Sequence, residues 1–452
     1  MSLTDGSTAL YGSAASVDEQ RRALTAGQVP VAIYGLGKMG LPLAAVYADV
    51  TGNVTGVDID EAVVERVNRG ECPIKGEPGL PELVASSVAS GSLVASADPV
   101  EAADAASLHV VIVPTEIRDE TVPDLSTLRT AVTDVGAGLD RGDLVIVEST
   151  VPPRTCRTVV EPILAAESGL SSGEFGVAFC PERTSSGRAL RDIRGAYPKV
   201  VGGIDDESTR VAELVYGELT SNEVLAVSDV TVAECVKVFE GIYRDVNIAL
   251  ANELARFTDE LGVDVNEAID VANTQPYCDL HRPGPGVGGH CIPYYPYFLL
   301  TPFSTDAPLV ETARQINDGM PLFTVGKVVE RLAEANVRIE DATVALLGVA
   351  YRAGVEETRK TPARPIAQRL RGLGAQVVGV DPVLDDPGDV PVELVTIDEF
   401  VALNPDAAVV LTAAEEFQSI DWGTLADTVI VDARAVLDLD PNEHRVYTIG
   451  SG

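Results

Sequence analysis

One cysteine lies in a segment whose composition suits a nucleophile. Cys291 follows a run rich in glycine and proline, 283–290, which leaves little side-chain bulk around the thiol. In an enzyme that removes hydride, a thiolate can add to an aldehyde, and hydride loss from the thiohemiacetal gives a thioester that water cleaves. An isolated cysteine is more often a buried apolar side chain. The long, irregular segment 274–296 nevertheless favours an active-site loop.

A glycine turn that suits a dinucleotide lies near the start of the chain. Gly35, Gly37 and Gly40 follow the first apolar run, and such a turn lets a pyrophosphate approach the start of a helix, where amides and the helix dipole favour an anion. Asp58 ends the second apolar run, where a carboxylate can accept hydrogen bonds from the adenine ribose and repel a 2′-phosphate. The combination favours NAD over NADP; the alternative is a glycine-rich turn with a surface acid.

Three polar side chains could assist a thiol nucleophile. Lys237 could stabilise an oxyanion and lower the pKa of the thiol. Its spacing alone favours a solvated surface lysine, because Lys237, Gly241 and Arg244 would share a face opposite the apolar stripe of the helix. Glu182 and Thr150 each follow a predicted strand, and ligands of open α/β sheets bind beyond the carboxyl ends of strands. They could hold and deprotonate a hydrolytic water; the alternative is a loop acid and a cap threonine.

The elements that must position these residues can be read from the hydrophobic pattern. Short apolar runs alternate with alanine-rich amphipathic stretches, which indicates parallel α/β sheets. The first series of predicted strands is 31–34, 54–58, 109–113, 144–148, 177–180 and 200–203, and the second is 344–347, 377–381, 408–412 and 429–432. Between them, 229–262 and 309–336 have helical periodicity. The predicted fold class is α/β, with two doubly wound Rossmann-like domains joined by a central all-helical domain.

This pattern predicts four segments along the chain. A polar N-terminal tail (1–28) precedes an NAD-binding Rossmann domain (29–227), a central helical domain that carries the cysteine loop (228–336) and a second Rossmann-like domain (337–452). A long helix between two domains is often also a subunit interface. A homodimer formed through the central helices is therefore expected.

The composition excludes several classes of function. The 452 residues carry a formal net charge of −36, which disfavours nucleic acid and anionic membranes as partners. The 6 cysteines form no Cys-x-x-Cys pair and indicate neither a metal site nor a disulfide framework. No apolar run reaches about 18 residues and no signal-peptide pattern opens the chain, so a cytoplasmic protein is expected. Acidic, lysine-poor composition indicates a salt-rich cytosol, as in halophilic archaea; the alternative is an ordinary acidic protein.

Together, the motifs resemble those of the UDP-glucose/UDP-N-acetylmannosamine dehydrogenase family, from Val31 to about Leu437. Besides the glycine turn, the resembling stretches are 113–115, 148–152, 180–183, 243–249, 283–292, 348–352 and 357–363. Two of them, 244–249 and 283–292, resemble the branch that acts on N-acetylated hexosamines. UDP-N-acetyl-D-mannosamine is therefore favoured as substrate, with UDP-N-acetylglucosamine and UDP-glucose as alternatives.

The resemblance implies an NAD-dependent, four-electron oxidation of the C6 hydroxyl of the sugar to a uronate for polysaccharide biosynthesis, with the UDP portion bound by the C-terminal domain. The catalytic residues that it implies are Cys291, Lys237, Glu182 and Thr150. The implied cofactor ligands are Gly35, Gly37, Lys38, Met39, Gly40, Asp58, Thr115 and Thr150. The implied substrate ligands are Glu182, Arg183, Lys237, Arg244, Asn247, Arg282, Gly288, Gly289, Tyr351, Arg352 and Arg359.

Two positions depart from the pattern of the family. Where the family normally has an asparagine this chain has Gly241, and where it normally has an aspartate this chain has Tyr295. Each loss in a preorganised site costs on the order of 10²-fold in rate unless a nearby group, such as the Tyr295 hydroxyl, substitutes. A noncatalytic nucleotide-sugar-binding homologue is therefore an alternative. A β-hydroxyacid dehydrogenase, with a similar glycine turn, is another, but it has no use for Cys291.

Overall fold

The computed structural model describes residues 9–425, 427–440 and 442–452. These residues form two compact units. The first unit extends to Phe239 and includes Tyr297–Pro302, and the second consists of Glu240–Pro296 and Phe303–Gly452. The predicted central domain, 228–336, is not a unit by itself in this division, and the predicted domain boundaries stay predictions.

The first unit is built on an eight-stranded sheet in the order β10-β9-β8-β7-β4-β1-β2-β3. Its neighbouring strands are parallel except for the pair β8 and β9. β5 and β6 form a separate antiparallel hairpin. The strands are β1 (Val31–Tyr34), β2 (Val54–Val57), β3 (Leu93–Ser96), β4 (Leu108–Val111), β5 (Glu116–Arg118), β6 (Val122–Asp124), β7 (Leu144–Val147), β8 (Gly176–Phe179), β9 (Lys199–Gly203) and β10 (Val224–Ala226).

Helices cover both faces of this sheet, so β1, β4, β7 and β8 are buried at every position. The strand order reverses beside β1, the place where open α/β sheets bind ligands. The helical segments of this unit, apart from the long helix described below, are Val17–Thr25, Gly40–Thr51, Glu61–Asn68, Leu80–Ser90, Pro99–Asp104, Ser126–Gly138, Cys156–Val160, Glu161–Ser168, Ala189–Arg191, Asp192–Ala196, Asp206–Leu219 and Tyr297–Leu300.

The segment 1–28, predicted as a polar tail, is part of the first unit over its described residues. Residues 1–8 lie outside the described part of the chain. Ser16 caps the helix Val17–Thr25 in a capping box with Glu19. Leu10 and Leu24 are buried in the same core as the first strands. Two apolar residues suffice to dock this short helix, although most of its other positions are polar.

The predicted central segment is helical. Every residue of 228–336 is described, and none of them lies in a strand. Its helices, besides Tyr297–Leu300, are Val230–Ala255, Thr258–Leu261, Val265–Ala272 and Pro308–Glu334. Pro321 lies inside the last of these helices, at a buried position.

The second unit contains a six-stranded parallel sheet in the order β13-β12-β11-β14-β15-β16. Its strands are β11 (Thr343–Leu347), β12 (Gln376–Val380), β13 (Glu393–Leu394), β14 (Ala407–Val410), β15 (Val429–Asp432) and β16 (Arg445–Thr448). Its remaining helical segments are Ile339–Asp341, Ala363–Gly372, Ile397–Leu403, Glu415–Gln418 and Trp422–Leu425. Two Rossmann-like sheets, separated along the sequence by a helical segment, confirm the predicted fold class. Among the described residues, no helix is long and apolar enough to cross a membrane.

Candidate active site

The glycine turn after β1 is shaped by close backbone approaches. Gly35 has a φ of +102°, and a Cβ there would lie 3.2 Å from the carbonyl carbon of Ile112. A Cβ on Gly40 would lie 2.9 Å from the carbonyl carbon of Gly35 and closer still to its oxygen. Gly37, by contrast, is exposed and has open space where a side chain would project. The turn is therefore tight at its ends and accessible in the middle, as binding of a pyrophosphate requires.

Asp58 directly follows β2 and contacts this turn, and Thr115 lies in the segment between β4 and β5. The Asp58 carboxylate accepts hydrogen bonds from the amide of Leu36, at 2.8 Å, and from that of Asp60, at 3.0 Å. The Thr115 hydroxyl is buried and has no hydrogen-bond partner among the described residues. A buried hydroxyl without a hydrogen bond costs free energy unless a ligand supplies the missing partner. Both residues fit a dinucleotide at this turn.

Two further residues of the turn were predicted cofactor ligands. Lys38 is exposed at the turn, and Met39 is half-buried. The sulfur of Met39 lies 2.9 Å from the hydroxyl oxygen of Thr184. The turn is thus tied to the loop after β8, which carries Glu182.

Lys237 is buried against that loop and is not the solvated surface lysine that its spacing favoured. It is 8% exposed. Its Nζ donates to the Glu182 carbonyl and lies 3.5 Å from the Glu182 carboxylate. The buried stripe of the long helix passes through Glu234, Lys237 and Gly241, whereas Arg244 is exposed. Spacing put Lys237, Gly241 and Arg244 on one face of this helix, but only the first two are buried, because spacing could not show which part of the helix the partner loop covers.

The Glu182 loop is held by its own hydrogen bonds. The carboxylate accepts from the amide and hydroxyl of Thr184. Arg183 lies over the ring of Tyr197, 5.2 Å from the ring centroid, and donates to the carbonyl of Pro198. These contacts fix Glu182 while leaving it half-buried.

Thr150 lies in the loop after β7, the strand beside β8. Glu234 shapes this loop by accepting hydrogen bonds from the amides of Arg154, at 2.5 Å, and Cys156, at 2.7 Å. Burial raises the pKa of Glu234 to about 7. Because β7 and β8 are neighbours, Thr150 and Glu182 follow adjacent strands at the same edge of the sheet.

Sequence reasoning missed a buried polar cluster beneath these loops. The Tyr216 hydroxyl donates to Glu148 at 2.5 Å, and burial raises the pKa of this carboxyl group. Lys199 is buried as well, and its Nζ lies 5.8 Å from the centroid of the Tyr216 ring. One signal was available: Lys199 is a rare lysine in an apolar strand. Its partners lie far away in sequence and could not be identified from it.

Cys291 is exposed, whereas the other five cysteines are buried or half-buried. Its carbonyl accepts hydrogen bonds from the amides of Tyr294 and Tyr295, both at 3.0 Å. Upstream, the amide of Gly284 donates to the side chain of Asn252 in the long helix at 2.8 Å. The thiol therefore lies on an ordered turn and is accessible, in contrast to a buried apolar cysteine.

The cysteine loop packs against the loop that follows β11, residues 348–362. A Cβ on Gly288 would lie 2.8 Å from the Lys360 carbonyl oxygen, and one on Gly289 would lie 2.8 Å from the Tyr351 ring. The Gly289 amide donates to the carbonyl of Arg359 at 3.0 Å. Bulky side chains are thus excluded at both glycines, and Tyr351 and Arg359 lie in the loop that contacts them.

Charged groups flank this contact. Glu357 pairs with His290, and the Arg359 Nε lies 3.5 Å from the same carboxylate. Arg352 is exposed. Arg434 was missed: a Cβ on Gly284 would lie 2.6 Å from its Nη1, and its Nε donates to the carbonyl of Leu411 at 2.9 Å. Burial lowers the pKa of Arg434 to about 10, so the group stays cationic near neutral pH.

Two predicted substrate ligands instead make contacts within the helical segment. Arg282 pairs with Asp270 at 2.5 Å and donates to the carbonyl of Asn266 at 3.2 Å. Asn247 accepts from the amide of His281 at 2.8 Å and donates to the carbonyl of Asp279 at 2.6 Å. Asn247 therefore anchors the start of the cysteine loop, a role its sequence context did not indicate.

Comparisons with known proteins agree with this architecture. The UDP-glucose/GDP-mannose dehydrogenase family matches through its NAD binding domain at residues 29–220, its central domain at 231–319 and its UDP binding domain at 345–439. The UDP-N-acetyl-D-mannosamine dehydrogenase of Pyrococcus horikoshii is 35% identical over 428 residues, 93% of this chain and 99% of that protein. A solved structure of the UDP-D-ManNAc dehydrogenase from this organism has a TM-score of 0.86 at 34% identity, over 93% of this chain and 99% of that chain. The NDP-N-acetyl-D-galactosaminuronic acid dehydrogenase of Ralstonia nicotianae is 35% identical over 416 residues, 90% of this chain and 96% of that protein.

The fold and the glycine turn define an NAD-dependent oxidoreductase. The matches to all three domains show, more narrowly, that the chain belongs to the UDP-glucose/GDP-mannose dehydrogenase family. It is an NAD-dependent nucleotide-sugar dehydrogenase. The family, the cofactor and the enzymatic activity expected from the motifs are confirmed.

Proposed function

We propose that this enzyme oxidises the C6 hydroxyl of UDP-N-acetyl-D-mannosamine to a carboxylate, through a thioester on Cys291. The observation that carries the proposal is the exposed thiol on an ordered turn, next to glycines that exclude side chains. Relatives named for N-acetylated hexosamines support the sugar class. The second of them is named for a galactosamine derivative, which keeps other N-acetylated hexosamines as alternatives.

The reaction consumes one water and two NAD⁺ and gives the uronate, two NADH and three protons. Bound at the glycine turn, NAD supplies the hydride acceptor for both oxidations. After the alcohol becomes an aldehyde, the Cys291 thiolate adds to the carbonyl carbon and forms a thiohemiacetal. Loss of the second hydride from that carbon gives the thioester, and water releases the acid and the thiol. The first oxidation does not need the thiol; the second does.

Lys237 and Glu182 are proposed to handle charge and water in these steps. A buried ammonium held by a backbone carbonyl is preorganised to stabilise the negative charge that develops on the substrate oxygen. The Glu182 carboxylate, fixed by Thr184, would orient the hydrolytic water and take its proton. Thr150 would hold that water. Asp58, Thr115 and the turn glycines would bind the cofactor.

Cations in the second unit are proposed to bind the UDP end. Arg359 lies at the contact between the cysteine loop and the loop after β11, and Arg434 packs against Gly284. A diphosphate in a protein of net charge −36 needs such local cations. Tyr351 and Arg352 belong to the same loop. Arg282, which pairs with Asp270, would have to exchange this partner for substrate.

The assembly and setting are proposed on separate grounds. Tyr243, Leu250 and Phe257 are 53%, 47% and 47% exposed along the helical segment, which supports a homodimer through these helices. The acidic composition supports a salt-rich cytosol of a halophilic archaeon, where screening limits the self-repulsion of the surface. Light scattering in molar KCl would measure the oligomeric state.

The central experiment counts NADH formed per sugar consumed across a panel of UDP-sugars in molar KCl. Two NADH per UDP-N-acetyl-D-mannosamine and no free aldehyde are expected. Cys291→Ser is expected to stop after the first oxidation or to trap an ester, whereas Cys278→Ser, a half-buried cysteine of the same unit, serves as the matched control. One NADH per sugar in the wild type, or full activity of Cys291→Ser, would contradict the thioester route.

A further inference from the structure

Gly241 occupies an unusual place for a glycine. It lies inside the long helix Val230–Ala255, in the ordinary helical conformation. Glycine is among the poorest helix formers, so a glycine inside a helix points to a packing requirement. A Cβ on Gly241 would lie 2.7 Å from Cγ and 2.9 Å from Cβ of Tyr295, and closer still to Cδ2. The ring of Tyr295 therefore occupies the space that a side chain at position 241 would need.

Two other helical glycines of the chain make no comparable contact. Gly326 lies inside the helix Pro308–Glu334, and Gly217 inside Asp206–Leu219. Neither has any atom within 4 Å of the place where a Cβ would stand. Gly241 is thus tied to one partner ring, and Gly326 offers a matched comparison in the same unit.

Tyr295 connects the helix to the nucleophile. It is 7% exposed. Its amide donates to the Cys291 carbonyl at 3.0 Å, which closes the turn that carries the thiol. On the other side of Cys291, the Gly289 amide is held by the Arg359 carbonyl. The docked ring therefore fixes one end of a turn whose other end is fixed by the loop after β11.

We propose that Gly241 and Tyr295 form a positioning pair, in which the ring docked on the bare helix backbone sets the placement of the Cys291 thiol. Tyr295 acts through the turn and is a positioning residue. The proposal rests on the proposed thioester route. A misplacement of about 1 Å in a reacting group can cost on the order of 10²-fold in rate. Because the first oxidation does not use the thiol, the loss should fall on the second.

The test compares Gly241→Ala, Tyr295→Ala and Tyr295→Phe with wild type and with Gly326→Ala. The first readout is NADH per sugar together with released aldehyde. Gly241→Ala and Tyr295→Ala are expected to fall from two NADH toward one, with aldehyde released and the steady-state rate reduced at least tenfold. Tyr295→Phe keeps the ring and is expected to keep the wild-type stoichiometry. Gly326→Ala is expected to match wild type.

The second readout is the rate at which iodoacetamide alkylates Cys291, followed by mass spectrometry of its peptide. It needs no turnover and therefore tests the placement of the thiol even if the proposed reaction fails. A changed alkylation rate in Tyr295→Ala, restored in Tyr295→Phe, is expected. Wild-type alkylation and two NADH per sugar in Tyr295→Ala would overturn the positioning pair, whereas one NADH in wild type would overturn the thioester route. Because Tyr295→Ala only removes atoms, the test stands even if Gly241→Ala does not fold.

Discussion

The two parallel sheets of this chain begin with the same device and use it differently. In the first, Gly35 follows β1 with a φ of +102°, and Asp58 after β2 accepts a hydrogen bond from the amide of Leu36, the residue after this glycine. In the second, Gly348 follows β11 with a φ of +98°, and Asp381 after β12 accepts from the amide of Val349. Both turns therefore combine a left-handed glycine with an aspartate from the neighbouring strand.

The difference lies in the residue two places after each glycine. Gly37 is exposed and faces open space. Ala350 is 2% exposed, and its amide donates to the same oxygen of Asp381 as that of Val349, at 2.8 Å. The first turn leads directly into the helix that begins at Gly40, whereas the next helix after the second turn begins only at Ala363. The first turn is open to an anion, and the second is closed on its own aspartate.

This contrast shows how one fold element supports two functions. The open turn leaves the start of a helix accessible, as a bound anion requires. The closed turn instead anchors the loop 348–362, which contacts Gly288 and Gly289 next to the nucleophile. A strand, a glycine and an aspartate thus do not by themselves define a dinucleotide site, because function depends on what the turn leaves accessible.

Asp381→Ala should disrupt the closed turn. Its cost in free energy should be larger than that of a substitution in the open turn. It removes the acceptor of the Val349 and Ala350 amides, both in buried residues. At about 1–3 kcal/mol for each of the two unsatisfied buried amides, a loss of about 2–6 kcal/mol in the free energy of unfolding is expected. Urea unfolding in molar KCl measures it, and hydrogen exchange should rise across 348–362.

Asp381→Asn provides the control, because its side-chain oxygen still accepts a hydrogen bond. It is expected to retain most of the stability. Equal stability of wild type and Asp381→Ala would contradict the view that the aspartate closes this turn.

The strands and the glycine turn could be predicted from sequence because their signals are local. Strands buried on both faces read as continuous apolar runs, and the observed bounds of β1 and β15 are the predicted ones. The accessible cysteine was predictable for the same reason, since the glycines that strip its surroundings are its sequence neighbours. The burial of Lys237 was not predictable, because its partner Glu182 belongs to a distant loop.

Polar positions of the long helix Val230–Ala255 also have a burial that could not be predicted from sequence. Asp245 and Asn252 are fully buried, although their residue types indicate solvent. Their partners include Arg314 and Asn317 of the helix Pro308–Glu334, with Arg314 pairing with Asp245 at 2.5 Å. A hydrophobic stripe identifies one face of a helix, but a face covered through hydrogen bonds leaves no hydrophobic signal. The contact between Tyr295 and Gly241 was missed as well. Both residues depart from the family pattern, but nothing in the sequence indicates that the two positions touch.

The open turn can be blocked by Gly37→Ala without disturbing the fold. Gly37 does not have a positive φ, and its side-chain position is empty. The new methyl group would project into the space expected for the pyrophosphate, so affinity for NAD should fall about 10²-fold, or about 2.7 kcal/mol. Calorimetric titration measures the affinity, and thermal unfolding should be unchanged. Ala350→Gly, the counterpart in the closed turn, should leave NAD affinity as in wild type; equal affinity in Gly37→Ala would show that the cofactor does not approach this turn.

Asp58→Asn separates two roles of the aspartate in the open turn, which are the hydrogen bond that shapes the turn and the negative charge that repels a 2′-phosphate. Its side-chain oxygen can still accept from the Leu36 amide, so the turn should keep its shape. Only the negative charge is lost, and with it the repulsion of a 2′-phosphate, worth about 1 kcal/mol or more between close charges in water. The preference for NAD over NADP, measured as the ratio of kcat/KM, should therefore shrink about tenfold. Asp60→Asn removes a charge from the same strand end, where Asp60 caps the helix Glu61–Asn68, and should leave the ratio unchanged. Equal shrinkage in both variants would mean that net charge, and not Asp58, excludes NADP.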